Sequence, residues 1–319
     1  MTRDTVVDRL MQHAATQPHT PALYSRRDGR WVSIDWSTYV ERCREFAGAL
    51  LAEGYEPGQA VAIVGNNCPE WVIADVGAML ARSVATGIYQ TNTAEQVAYV
   101  AAHCEARVIV LEDRKQWAKI DAEREKLPRV QRIVMVREHE LVDDPKVVSF
   151  EAFLASGRGQ LAAVDRRFAE IQDEDLATLI YTSGTTGPPK GAMLSHRNLA
   201  FMASAAVQIA NTDPSDCVVS YLPLSHIAEQ IFSIHLALTV GYPVWFAESL
   251  EKLREALVAA RPTIFMGVPR VWEKFRAALE TRLGEATGVK GAIVKWSRSV
   301  LQRANQERVD HGEPTGLLG

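Results

Sequence analysis

The sequence predicts an α/β protein made of two βαβ-type lobes with mainly parallel sheets. Two observations carry this. Short runs rich in Val, Ile, Ala and Leu alternate with longer amphipathic stretches, which is the strand–helix–strand signal of a parallel sheet. The 319 residues, 47% hydrophobic and 23% charged, suit a soluble globular chain of roughly two domains at about 100–200 residues each.

The chain opens on a helix over Thr5–Thr16, stopped at Gln17-Pro18. Strands follow at Ala22–Arg26 and Trp31–Trp36 around the Asp28-Gly29 turn, then a helix from Ser37 to Glu53 that ends at Gly54. The alternation then becomes regular. Ala60–Val64, Val84–Ile88, Arg107–Leu111 and Arg132–Val136 read as strands, separated by helices at Pro69–Ala81, Ala94–His103 and Lys115–Lys126. Residues 138–175 are polar and Gly-spotted, with Ser156-Gly-Arg-Gly159 at their centre. They are either a lobe boundary or a surface excursion within one domain. Taken as a boundary, they give a first lobe at 1–160 and a second at 161–319. The second lobe repeats the pattern, with strands at Leu176–Tyr181, Cys217–Leu222, Pro243–Phe246 and Thr263–Val268. Its helices are expected at His196–Ala210, Ile227–Thr239, Leu250–Ala260, Val271–Arg282 and Ala292–Gln306.

Charge and cysteine usage exclude several classes. With 35 Lys and Arg against 39 Asp and Glu, the net charge of -4 argues against nucleic-acid binding. Cys43, Cys68, Cys104 and Cys217 are scattered without a C-x-x-C pair, so neither a disulfide framework nor a zinc site is expected. The charged start has no signal-peptide core, and the apolar run Ile231–Ala247 is broken by His235, Gly241 and Pro243. A cytoplasmic protein is expected.

The most informative segment is Tyr181-Thr-Ser-Gly-Thr-Thr-Gly-Pro-Pro-Lys-Gly191, directly after a predicted strand. Glycines let backbone N–H groups converge on an anion. The hydroxyls of Thr182, Ser183, Thr185 and Thr186 add donors, and a hydroxyl oxygen can ligate Mg²⁺; Lys190 adds a point charge suited to phosphate. The spacing is not that of a Walker A loop, since Pro189 lies five residues after Gly184 and Lys190 is followed by Gly191.

Thr182–Gly191 followed by Ala-Met-Leu-Ser-His196 resembles the signature loop of the adenylate-forming (AMP-binding) enzymes. Ser220-Tyr-Leu-Pro-Leu-Ser-His226, Gly267-Val-Pro-Arg-Val-Trp-Glu-Lys274 and Asn66-Asn-Cys-Pro-Glu-Trp71 are similar to the long-chain fatty acyl-CoA synthetases, including the bubblegum-type branch. The resemblance covers nearly the whole chain and implies the large N-terminal domain of those enzymes. It implies an ATP-dependent ligase that converts a long-chain fatty acid to acyl-AMP and pyrophosphate, then transfers the acyl group to coenzyme A. ATP, Mg²⁺ and CoA are the implied cofactors and co-substrates, and a long-chain substrate implies peripheral membrane contact. Thr182 would help hold Mg²⁺; Ser183, Gly184, Thr185, Thr186 and Gly187 would clasp the phosphates, with Lys190 at the loop's end. His226 would lie beside the substrate carboxylate and the α-phosphate as a catalytic and substrate-binding residue. Gln230, one helical turn later, stands where some relatives carry an aromatic gate to the acyl site.

Arg270, Glu273 and Lys274 read as a solvated helix start while Val271, Trp272 and Phe275 pack. No Tyr-Gly-x-Thr-Glu segment, ribose-binding Asp or terminal catalytic lysine follows. The chain is therefore expected to represent the first part of a ligase, without the C-terminal domain and with little turnover by itself. An acyl-AMP ligase that loads a carrier protein, and a non-catalytic nucleotide- or acyl-binding module, remain alternatives.

Overall fold

The computed structural model describes residues 3–182 and 187–311. Helix α1 (Val6–Thr16) starts at a reciprocal capping box between Thr5 and Asp8. It is followed by β1 (Pro21–Arg27), β2 (Arg30–Asp35) and α2 (Trp36–Ala52), the last capped by Asp35. Next come β3 (Ala60–Val64), α3 (Pro69–Leu80), β4 (Val84–Ile88), α4 (Ala94–His103), β5 (Val108–Leu111), α5 (Arg114–Ala122) and β6 (Arg132–Met135). Then β7 (Val147–Ser149), α6 (Phe150–Gly157) and α7 (Leu161–Ala169) precede β8 (Leu176–Thr182), β9 (Lys190–Ser195) and α8 (His196–Ala210). The order continues with β10 (Val218–Ser220), α9 (Ile227–Gln230), α10 (Leu236–Val240), β11 (Val244–Phe246) and α11 (Leu253–Ala260). Two helices close it, α12 (Pro269–Gly284) and α13 (Gly288–His311).

The larger sheet runs β7-β6-β5-β3-β4-β8-β9, parallel except for the β8–β9 hairpin. Every residue of β3, β4 and β5 is buried, as is every residue of α3. This is what a parallel sheet covered on both faces requires, and it explains why β3 and β5 read as unbroken apolar runs. The smaller sheet runs β10-β11-β1-β2.

Each sheet takes strands from both sides of residue 160: β8 joins β4, and β11 joins β1. The expected division into lobes at 1–160 and 161–319 is therefore corrected. The compact units are Met1–Ile264 and Phe265–Gly319. The polar segment that suggested a boundary holds β7, α6 and α7 instead. Its glycine serves a helix crossing: a Cβ on Gly157 would lie 1.9 Å from the Glu45 carbonyl oxygen of α2, so only glycine lets the backbones meet. Two further expectations change. Thr263–Val268 forms only an isolated bridge, Ile264 to Val218. The helix expected over Ile227–Thr239 passes through a π turn at Ile231–His235, where Ser233 and His235 are buried.

No helix among the described residues is long and apolar enough to cross a membrane. In the second unit, the Trp272 indole donates to the Gly267 carbonyl at 2.8 Å and its ring packs edge-on against Phe265 and Phe275.

Candidate functional site

Topology locates the site before any side chain does. From β4 the chain crosses back over β3 to reach β5, whereas from β8 it turns outward into β9. Connections leaving adjacent parallel strands in opposite directions open a crevice at their carboxyl ends. A cavity of about 450 Å³ lies there, lined by Gly87 and Ile88 of β4, by Tyr89 just after it, and by Ile180, Tyr181 and Thr182 of β8. Its volume is within the range of small-molecule sites. Asn92, Gln96, Pro189, His226 and Ile227 complete much of the wall.

The Gly-rich turn springs from this rim. Thr182 ends β8 in register with Lys190, which starts β9, and both are exposed. Gly187 has φ +94°, a left-handed conformation that favours glycine. Ser183, Gly184, Thr185 and Thr186 lie outside the described residues. Helix α4 braces the hairpin: the Tyr99 hydroxyl donates to the Pro189 carbonyl at 3.1 Å, and the Tyr181 hydroxyl meets His103 Nδ1 at 2.7 Å. Burial raises the Tyr181 phenol above its ordinary range, so it stays neutral.

His226 is exposed on the cavity wall and caps α9, its Nδ1 accepting from the Ala228 N–H at 3.1 Å. Because Nδ1 is an acceptor in that bond, Nε2 carries the proton in the neutral ring and is the free donor. The turn bearing His226 is fixed by polar contacts that sequence reasoning did not find. Asn67 Nδ2 donates to Ser220 Oγ at 2.8 Å and to the Leu222 carbonyl at 2.6 Å, while its Oδ1 accepts from the Leu224 N–H at 3.2 Å. Glu229 is buried and accepts from Ser220 at 2.7 Å and Ser233 at 2.6 Å. Burial pushes its carboxyl up to about 7, against the pull of those hydrogen bonds. The segments Asn66–Trp71 and Ser220–His226, far apart in sequence, thus form one hydrogen-bonded structure. Gly87 lets that turn reach β4, since a Cβ there would lie 2.8 Å from Ser225 Cα.

Thr182 and His226 share the cavity, and Gly187 and Lys190 stand on the hairpin beside it without lining it. Gln230 is placed differently. It is fully buried beneath the turn, its amide donating to the Leu224 carbonyl at 2.9 Å, and it does not line the cavity. Tyr89, Asn92 and Gln96 are wall residues that sequence reasoning missed. Asn92 lies just past a strand end, the position where a parallel sheet places site residues.

Comparison with known proteins identifies the family. The AMP-binding enzyme family matches residues 10–304. The chain is 37% identical over 302 residues to the Xenopus laevis long-chain-fatty-acid–CoA ligase ACSBG2, covering 92% of this chain and 41% of that protein. It is 35% identical over 293 residues to human ACSBG1, covering 89% and 40%. The chain thus spans about two-fifths of the length of these curated relatives. Among solved structures, the anthranilate CoA ligase AuaEII in complex with anthranoyl-AMP superposes with a TM-score of 0.72 at 23% identity, over 82% of this chain and 49% of that one. The N-terminal domain of FACL13 from Mycobacterium tuberculosis gives 0.70 at 21%, over 86% and 65%. With the Gly-rich Thr182–Gly191 motif, the parallel sheet and a family match over most of its length, this chain belongs to the AMP-binding enzyme family.

Proposed function

We propose that this chain carries the ATP-phosphate and acyl-carboxylate sites of a long-chain fatty acid–CoA ligase. The observation that carries the reading is that Thr182 and Pro189, at the two ends of the Gly-rich segment, and His226 line one cavity at the β4–β8 divergence. The reaction takes a carboxylate to acyl-AMP with release of pyrophosphate, and the thiol of CoA then displaces AMP to give the thioester. Its physical difficulty is bringing an anion up to a polyanionic nucleotide, which positioning and charge neutralisation solve. In this reading the backbone and hydroxyls of residues 183–187 hold the β- and γ-phosphates, and Lys190 offsets their charge. His226 offers its Nε2 hydrogen to an oxygen of the acyl carboxylate or the α-phosphate.

Mg²⁺ fits only as an ion carried by the nucleotide. The exposed Thr182 hydroxyl can supply one oxygen, and phosphates and water the rest. Among the described residues no group of three or more His, Cys, Asp or Glu could hold a metal independently. The segments expected to hold adenine, ribose and the catalytic lysine are not found in these 319 residues. Turnover by this chain alone is therefore expected to fall much further than phosphate binding.

Calorimetric titration of the 319-residue chain with Mg²⁺ and inorganic tripolyphosphate tests the reading. Saturable binding, weakened about tenfold or more in Lys190→Ala, is expected. Equal affinity in wild type and variant would remove the phosphate loop from the account.

A further inference from the structure

The strands that carry the Gly-rich segment run past the sheet they belong to. β8 pairs with β4 through Thr178, Leu179 and Ile180, so Tyr181 and Thr182 lie beyond the last β4 partner. On its other side β9 is an edge strand, and its pairing with β8 continues through Gly191 and Tyr181 to Lys190 and Thr182. By strand pairing, this end of the hairpin is tied to itself and not to the rest of the sheet. Among the described residues, the side-chain hydrogen bonds that reach it come from α4.

Two residues one helical turn apart supply them. Tyr99 donates to the carbonyl of Pro189, the residue before Lys190, at 3.1 Å. His103 meets the hydroxyl of Tyr181, the residue before Thr182, at 2.7 Å. Because the buried phenol keeps its proton, the Tyr181 hydroxyl donates and His103 Nδ1 accepts. The Tyr99, His103 and Tyr181 rings pack in series, with centroids 5.5 and 5.7 Å apart. Gly191 lets the last ring lie against β9, since a Cβ there would come within 3.2 Å of it. The neighbouring stripe of α4, Gln96 and Val100, lines the cavity. One helix therefore touches the cavity and both strands of the hairpin.

We propose that Tyr99 and His103 are positioning residues for polyphosphate binding, holding Lys190 and Thr182 in place beside the cavity that α4 helps to wall. The proposal rests on the reading of Thr182 and Lys190 as phosphate contacts, and assigns what fixes them. A lysine attracts phosphate as a point charge on a flexible stem. Its contribution grows when the backbone that carries it is fixed beforehand, because less ordering is left to binding. Neither Tyr99 nor His103 needs to touch the ligand. His103 is exposed and Tyr99→Phe keeps the ring, so losing one of these hydrogen bonds should leave the chain folded.

The test joins calorimetric titration of the 319-residue chain with Mg²⁺ and tripolyphosphate to hydrogen exchange of the ligand-free chain. Tyr99→Phe and His103→Leu should each weaken binding about three- to tenfold and speed exchange in β9, with thermal melting near wild type. His103→Asn, whose side-chain oxygen can accept from Tyr181, should bind within about twofold of wild type. In a Lys190→Ala background, Tyr99→Phe should cost less than in the wild type, because the hydroxyl acts through the lysine. Four results would each overturn the proposal while leaving the phosphate reading intact: wild-type affinity in Tyr99→Phe and His103→Leu, unchanged exchange in β9, His103→Asn as weak as His103→Leu, or full additivity of Tyr99→Phe with Lys190→Ala. Absence of saturable binding in the wild type would remove that reading, and the proposal with it.

Discussion

Glu229 and Asp75 are both sealed from solvent, yet the protein handles these carboxylates in opposite ways. Glu229 accepts hydrogen bonds from Ser220 and Ser233 and so anchors the turn that presents His226. Asp75, in the middle of the wholly buried α3, has no hydrogen-bond partner for either oxygen among the described residues. Burial alone pushes Asp75 up to about 8, while the serine hydroxyls hold Glu229 nearer 7 against a similar burial. A buried carboxyl tied to two hydroxyls positions a loop; an untied one costs stability and shapes nothing nearby.

The largest expected effect is on the pH dependence of stability. The unfolded chain ionises Asp75 near its ordinary value of 3.8, while the folded chain keeps it neutral up to about 8. Its contribution is therefore fully retained below the lower value and lost as pH rises towards the upper one. The loss approaches about 4 kcal/mol at pH 7. Asp75→Asn should flatten the fall in urea-unfolding free energy between these limits and leave the low-pH value close to wild type. Glu229 acts in the same direction over a narrower window, from 4.5 to about 7. His235 acts in the opposite direction: burial lowers it to about 3, so its contribution is lost as pH falls below its ordinary 6.5. An unchanged slope in Asp75→Asn would show that Asp75 has partners in solution.

Glu229→Ala should cost about 1–3 kcal/mol, since it strands two buried hydroxyls. Unlike any change at Asp75, it should also weaken binding of an acyl-adenylate analogue by displacing the His226 turn. Gly87→Ala is expected to cost about 1–3 kcal/mol through overpacking, because its new Cβ would press on Ser225 backbone at 2.8 Å. The smallest stability effect is expected from His226→Ala, which removes a one-turn helix cap worth about 1 kcal/mol. Its analogue affinity should fall more than its stability, and thermal melts with and without analogue separate the two.

The legible parts of the fold were those with one dominant signal. β3 is a pure apolar run, and α4 and α8 begin at Thr93 and Ser195 caps, so their limits follow from the residues. What stayed hidden depends on contacts between distant segments. Gly157 looks like a linker residue until α2 is laid across it. β9 is a mostly exposed edge strand whose Lys190–Ser195 run lacks a clear alternation. At the site, the Gly-rich motif marked Thr182 and Lys190, but nothing local in Asn67 reveals that it bridges Ser220 and Leu224. The setting of Gln230 is hidden for the same reason. Helical spacing placed it near His226 without showing that its amide turns inward to the Leu224 carbonyl.

The most direct test of the site is amide hydrogen exchange of the 319-residue chain with and without a non-hydrolysable palmitoyl-adenylate analogue. Protection is predicted in three segments distant in sequence: Gly87–Gln96, Thr182–Gly191 and Leu222–Ile227. Helix α13 should exchange unchanged. Protection confined to other segments would contradict the assignment of the β4–β8 cavity as the acyl-adenylate site.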